Sequence, residues 1–169
     1  LFYIALGHLA RWLQLPIPTI YHAARLSAGL ILCVTVFWLA GLVVDPQRER
    51  RWGLWLALAG GGLGWAFFFL PMSPVDLRIP EAYGFLGMLV NPHFPLAQAL
   101  MCLAMGLFAQ WLEETRADYV ILIALAGVLV ALSIVQAFGV VTVLLTWVLV
   151  VLAGLAWGHR WRVHYLFGL

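Results

Sequence analysis

The sequence contains little charge. Only 9% of its 169 residues are Asp, Glu, Lys or Arg, and 65% are hydrophobic. Soluble domains are about a quarter charged and about half apolar, so these values exclude a water-soluble globular domain as the main part of the chain. At about 20 apolar residues per crossing, the length allows about five or six membrane spans.

Lysine is absent, and all 9 basic residues are Arg. The formal net charge is only +2 and no long basic run is present, so we expect no nucleic-acid partner. Cysteine is scarce as well. Cys33 and Cys102 lie far apart in apolar segments, which excludes a Cys-X-X-Cys redox motif and a zinc knuckle. We interpret both as small core residues.

The chain begins at Leu1 instead of an initiator Met, and the following segment lacks the charged start of a signal peptide. At the other end, Leu169 follows aromatic residues that could begin another segment. We therefore expect the chain to be a fragment of a longer protein.

Long apolar runs predict an all-α fold, a polytopic transmembrane helical bundle that forms a single domain over residues 1–169. About five spans are predicted, at 20–44, 53–71, 95–112, 119–136 and 140–157. The last two are separated at Gln136 to Gly139, the polar and flexible break in a run that is too long for one crossing.

The segment 1–15 is short for a span and is closed by Pro16 and Pro18, so we expect a helix lying in the membrane interface. A second non-spanning segment is the polar loop 72–94, in which residues 79–90 are typical of a short helix. This loop contains five polar or charged candidates, Asp76, Arg78, Glu81, Asn91 and His93. Ionisable groups at a membrane indicate a functional site.

The distribution of Arg predicts the orientation. Six lie on one side of the predicted spans, namely Arg48, Arg50, Arg51, Arg116, Arg160 and Arg162. Arg11, Arg25 and Arg78 lie on the other side. Because cytoplasmic loops carry the excess of basic residues, the loop 72–94 is expected to face outward. The expected location is a bacterial-type inner (plasma) membrane.

Four stretches, taken in order, carry a family resemblance. They are F-Y-I-A-L-G-H-L-A-R-W-L-Q-L, H-A-A-R-L-S-A-G-L-I-L, V-V-D-P-Q-R-E-R-R-W and N-P-H-F-P-L-A-Q-A-L. Together they resemble the membrane domain of GT-C-type glycosyltransferases, which take sugars from polyprenyl-phosphate carriers. The matching features are an outer juxtamembrane helix, a span with Arg near its start, an Arg-rich inner turn and an outward-facing helix head. The resemblance covers about residues 1–110.

The resemblance implies sugar transfer from a lipid phosphate at the outer face, by an active enzyme or an inactive relative. Its partners would be membrane lipids and a polyprenyl-phosphate sugar. Asp76 or Glu81 would be the catalytic base, and His93 would carry a proton or donate to phosphate. The implied substrate-binding residues are Arg25, Arg78 and Asn91. A divalent metal ion is compatible with such a site.

Two features depart from the family pattern. The family's first catalytic carboxylate lies in an outer loop that would precede Leu1. At the head of the helix after the polar loop, Asn91 or His93 stands where the family has Asp. Asp76 and Glu81 are the carboxylates that could substitute for it.

Each candidate also has a structural interpretation. Asp76 and Arg78 could form an exposed ion pair, and Glu81 could be a charge at a helix start. Asn91 and His93 suit a helix cap, and Arg25 suits a side chain that reaches from a span to the headgroups. For the whole chain, the alternative is a non-catalytic subunit of a larger energy-transducing membrane complex, with histidines binding haem or a chlorophyll-type pigment.

Overall fold

A computed structural model describes residues 1–44, 47–59, 87–88, 91–113 and 118–156, and within these ranges the chain is helical, with no strand. The helices are α1 (Phe2–Leu13), α2 (Ile17–Val43), α3 (Gln47–Ala59), α4 (His93–Glu113), α5 (Tyr119–Val135) and α6 (Ala137–Ala156). The all-α prediction is confirmed for the described residues. Three predicted site residues, Asp76, Arg78 and Glu81, lie outside them.

Three of these helices are long and apolar enough to cross a membrane: α2, α4 over His93–Leu112, and α6. They have 27, 20 and 20 residues. Helix α5 is apolar but has 17 residues, at the lower limit for a crossing. The structure therefore supports a helical membrane protein, while the count of five spans stays a prediction.

The corner between α1 and α2 is made by Gln14 and two prolines. Gln14 adopts a left-handed conformation with φ 54°, and its N–H group bonds the carbonyls of Ala10 and Arg11. This closes α1 in the manner of a helix C-cap. Pro16 then precedes α2 and Pro18 lies in its first turn, where a missing N–H group leaves no helical bond unmade. Helix α1 consequently folds back to pack on α2.

The turn between α2 and α3 is fastened by Arg50. Its Nε donates to the carbonyl of Val44 at 3.0 Å, and its guanidinium lies against Gly41, where an added Cβ would be 3.0 Å from a guanidinium nitrogen. A cation at the carboxyl end of a helix also matches the negative end of the helix dipole. Arg50 thus stabilises the end of α2 on which α3 packs.

Helices α5 and α6 are separated by one residue. The side chain of Asp118 caps α5, because Oδ1 accepts from the N–H groups of Val120 at 2.8 Å and Ile121 at 3.4 Å. Gln136 is extended, with φ −156° and ψ 97°, and interrupts the apolar run inside the segment where the sequence predicts a break. Gly139 then packs against Leu132, so that α5 and α6 contact each other beside the break.

Backbone contacts divide the chain into two compact units, Leu1–Ala99 and Leu100–Leu169, with the boundary inside α4. The described part of the first unit contains α1, α2, α3 and the start of α4. The described part of the second contains the rest of α4 with α5 and α6. The predicted site residues that the structure describes all belong to the first unit.

Candidate functional site

Two side-chain hydrogen bonds join three distant segments of the first unit. The hydroxyl of Tyr3, in α1, lies 2.6 Å from Nδ1 of His93 at the first turn of α4. The hydroxyl of Tyr21, in the first turns of α2, donates to Oδ1 of Asn91 at 2.9 Å. We call Tyr3, Tyr21, Asn91 and His93 the polar junction.

Ring contacts combine these two pairs into one cluster. The rings of Tyr3 and Tyr21 are stacked, with centroids 6.5 Å apart and planes at 14°. Tyr3 also meets the imidazole of His93 edge to face, at 5.4 Å and 72°. Aromatic pairs in these arrangements attract each other beyond simple burial of area. The polar junction is therefore held by both hydrogen bonds and ring packing.

The backbone at His93 is held between two buried prolines. Pro92 and Pro95 are among the largest fully buried residues of the described chain. Each proline fixes its own φ angle and restricts the residue before it. Phe94 adds a ring contact, with its centroid 4.0 Å from that of His93. The start of α4 thus sets the backbone position of His93. Its half-buried ring is held by contacts with Tyr3 and Phe94.

Arg25 lies one helical turn beyond Tyr21 on α2, on the face that meets the segment before α4. At the next turn along that face is Gly29, where an added Cβ would be 3.5 Å from Sδ of Met88. The contacts of Tyr21 with Asn91 and of Gly29 with Met88 therefore lie on either side of Arg25. Its side chain is half-buried, and its position one turn from Tyr21 puts an arginine on the helix face that carries part of the polar junction.

The hydroxyl of Tyr3 is un-ionised at neutral pH. Partial burial raises the pKa of Tyr3 above its usual 10.0, and the neighbouring Tyr21 raises this pKa further. A neutral phenol can donate one hydrogen bond and accept others. Tyr3 can therefore bond Nδ1 of His93 in either direction, depending on which nitrogen of the ring carries the proton.

Of the predicted site residues, the structure brings Asn91 and His93 into the polar junction and places Arg25 beside it. Asp76, Arg78 and Glu81 lie outside the described residues, so their roles stay predictions. Within the described ranges, no three His, Cys, Asp or Glu side chains come together where they could hold a metal ion.

Sequence reasoning missed Tyr3 and Tyr21. Tyr21 could have been found, because it lies four residues before Arg25 and so shares its helix face. Tyr3 had a weaker signal. The distribution of Arg residues predicts that the first helix lies on the same side as the polar loop, but nothing in the pattern selects Tyr3 over its neighbours.

No protein-family model matches this chain, and the searches of curated proteins and of solved structures found no match either. The function therefore has to be inferred from the chemistry of the polar junction and its surroundings.

Proposed function

We propose that this chain is the membrane domain of a GT-C-like glycosyltransferase, or an inactive relative, that takes a sugar from a lipid-phosphate carrier at the outer face. The polar junction is the observation that carries the proposal. It gathers α1, α2 and the head of α4 around His93 and Asn91. In the family that the sequence resembles, the corresponding helix head carries an outward-facing acidic residue.

The lengths of two helices support a position for the polar junction at one edge of the bilayer. At about 1.5 Å per residue, the 27 residues of α2 extend about 40 Å, whereas the hydrocarbon core is about 30 Å thick. The first turns of α2, with Tyr21, can then lie at headgroup level. The 20-residue apolar stretch of α4 begins at His93 and matches the core thickness. We propose the same edge for both, with the predicted span 53–71, of which only residues 53–59 lie within the described part of the chain, and with α5 and α6 completing five spans.

The exposure pattern of α1 supports an interfacial position for this helix. Ala10 and Tyr3 lie on the side that meets the protein. About 120° away around the helix is an exposed apolar side, formed by Leu9, Trp12 and Leu13. The third side carries the exposed His8 and Arg11, with the exposed Ile4 between them. A helix with one protein side, one apolar side and one charged side suits the boundary between lipid and water.

In the proposed reaction, Asp76 or Glu81 takes the proton from an acceptor hydroxyl. The acceptor oxygen attacks the anomeric carbon of the sugar, and the bond from that carbon to the phosphate oxygen breaks, leaving the lipid phosphate with the electron pair. Arg25, beside the polar junction, would bind the phosphate oxygens, because a guanidinium forms paired hydrogen bonds with phosphate. His93 would donate a proton or a hydrogen bond to the departing phosphate.

The first prediction concerns recognition of the phosphate. Full-length protein in nanodiscs should bind polyprenyl monophosphate more tightly than the neutral polyprenol of the same length, as measured by native mass spectrometry. Arg25→Gln should weaken binding of the monophosphate by about tenfold to a hundredfold, since a hydrogen bond to a charged group contributes about 1.5–3 kcal/mol. Binding of polyprenol should not change.

Arg11→Gln is the matched control. Arg11 is also an arginine of the first unit, but it is exposed on α1 away from the polar junction, so the substitution should leave monophosphate binding unchanged. Equal binding of monophosphate and polyprenol by the wild-type protein would contradict the proposal. Haem or pigment absorbance in the purified protein would favour the non-catalytic subunit instead.

A further inference from the structure

The contact between Tyr3 and His93 links residues that are 90 positions apart. The sequence pattern predicts no role for Tyr3. The hydroxyl of Tyr3 lies 2.6 Å from Nδ1 of His93, at the short end of the range for such hydrogen bonds. The edge-to-face contact of the two rings, at 72°, gives a second point of attachment. Together with the ring of Phe94, whose centroid lies 4.0 Å from that of His93, these two contacts fix the place and the rotation of the imidazole.

Tyr3 restricts the rotation of the His93 side chain, which the backbone does not restrict. The buried prolines Pro92 and Pro95 restrict the main chain around His93. These prolines do not restrict the rotation of the imidazole about its side-chain bonds. A histidine ring presents two different nitrogens, and the hydrogen bond made by one of them decides how the other is used. Tyr3 bonds Nδ1 and therefore sets the orientation of Nε2.

A phenol suits this task in both charge states of the histidine. Toward a neutral ring that carries its proton on Nδ1, the hydroxyl oxygen of Tyr3 accepts from that N–H group, so that Nε2 is the nitrogen that takes up a proton. Toward an imidazolium, the same oxygen can accept from the N–H group at Nδ1. The ring can thus gain or lose a proton while its hydrogen bond with Tyr3 is kept. Phenylalanine at position 3 would keep the edge-to-face contact but could not form the hydrogen bond with Nδ1 in either charge state.

We propose that Tyr3 is a positioning residue for His93, holding the imidazole in one orientation through Nδ1 while the ring exchanges a proton with the substrate phosphate. This inference rests on the proposed function, because it takes His93 as the proton carrier of that reaction. It adds a residue from α1, so the interfacial helix becomes part of the reaction machinery.

The test compares Tyr3→Phe with Tyr21→Phe in the full-length protein. Tyr21→Phe is the matched control, since it removes a hydroxyl from the same stacked pair but from the bond to Asn91. In protein labelled with ¹⁵N at its 5 histidines, the Nδ1 resonance of His93 should move in Tyr3→Phe and stay in place in Tyr21→Phe. The His93→Gln variant identifies the resonance of His93, because that resonance is missing from its spectrum.

Sugar transfer gives the second measurement. Tyr3→Phe should lower kcat about tenfold with KM within about twofold, since the hydroxyl acts on the ring and leaves substrate binding intact. An unchanged Nδ1 resonance, or a moved resonance with unchanged kcat, would overturn the inference. If the wild-type protein transfers no sugar, the catalytic form of the proposed function fails and with it the role of His93 as proton carrier, while the resonance still decides whether Tyr3 holds His93.

Discussion

The described parts of the two units differ in the kind of contact that holds each of them together internally. In Leu1–Ala99, side-chain hydrogen bonds join residues 90 and 70 positions apart, at the polar junction. In the described part of Leu100–Leu169, the side-chain hydrogen bonds close within four residues. Their donors or acceptors are Asp118, Ser133, Thr142 and Thr146. Among the described residues of this unit, the ring contact of Phe108 with Trp147 and the packing of Gly139 on Leu132 join parts of the chain that are farther apart.

Hydrogen bonds within one helix and hydrogen bonds between distant segments have different effects on packing. Hydroxyls that bond the carbonyls of their own helix, as Thr142 and Thr146 do, satisfy polar groups within an apolar segment and leave the helix surface apolar. The described helices of the second unit can therefore pack through the shapes of their apolar side chains. The polar junction instead requires particular partners at particular distances. Under the proposed function, the first unit carries the chemistry, whereas the described part of the second is held by apolar packing.

The largest expected effect is on packing in the second unit. Phe108 is 7% exposed, and its ring stacks on Trp147 with centroids 4.5 Å apart and planes at 18°. Phe→Ala substitutions in soluble cores cost about 3–5 kcal/mol, and part of this transfer energy is absent where lipid replaces water. We expect Phe108→Ala to lower the free energy of unfolding by about 2–3 kcal/mol, measured by circular dichroism during SDS titration in mixed micelles.

Phe138→Ala is the control for this prediction. Phe138 belongs to the same unit but is 82% exposed, so its removal opens no cavity. We expect a change within about 0.5 kcal/mol. Equal losses for the two variants would mean that the Phe108–Trp147 stack does not hold this unit together, and the contrast between apolar and polar units would fail.

A smaller effect is expected beside the break between α5 and α6. A Cβ added to Gly139 would be 2.8 Å from Cδ1 of Leu132. Leu132 is completely buried, so its side chain has little space to move away. Overpacking of this kind costs about 1–3 kcal/mol. We expect Gly139→Ala to destabilise the protein by about 1–2 kcal/mol in the same titration.

Gly127→Ala separates crowding from the general effect of replacing glycine. Gly127 lies in α5, and apart from its chain neighbours and the nearby backbone of its own helix nothing lies within 4 Å of its added Cβ. Alanine there should therefore leave stability unchanged or raise it slightly through its better helix propensity. If Gly127→Ala and Gly139→Ala lose the same stability, close packing at the break is not what holds α5 against α6.

Much of the helical layout could be predicted from the sequence because it follows from local features. The break at Gln136 follows from a polar residue and a glycine within an apolar run, and the helix corner before α2 follows from Pro16 and Pro18. Such features act within a few residues. They need no knowledge of what lies opposite them in the fold.

The polar junction could be predicted only in part. Asn91 and His93 stand out because polar residues are scarce near the apolar runs. Tyr3 and Tyr21 do not stand out, because a tyrosine near a membrane edge is equally typical of an interfacial anchor. Their function as partners depends on contacts across 70 and 90 residues, which periodicity and composition do not encode.

The smallest expected effect on stability comes from the polar junction itself. Tyr21→Phe removes the hydroxyl that donates to Asn91 at 2.9 Å but keeps the ring stacked on Tyr3. Hydrogen bonds between membrane helices contribute about 0.6 kcal/mol on average. We expect a loss of about 0.6 kcal/mol in the SDS titration, well below that of Phe108→Ala.

The same variant should weaken binding of polyprenyl monophosphate more than Phe108→Ala does, when both are compared at equal amounts of folded protein. Tyr119→Phe is the control, since Tyr119 is 73% exposed at the start of α5 and should affect neither property. If stability and lipid binding fall in parallel for Tyr21→Phe and Phe108→Ala, the two units do not have separate tasks. If they diverge, the polar bonds contribute more to function than to stability, as expected for a site supported by an apolar scaffold.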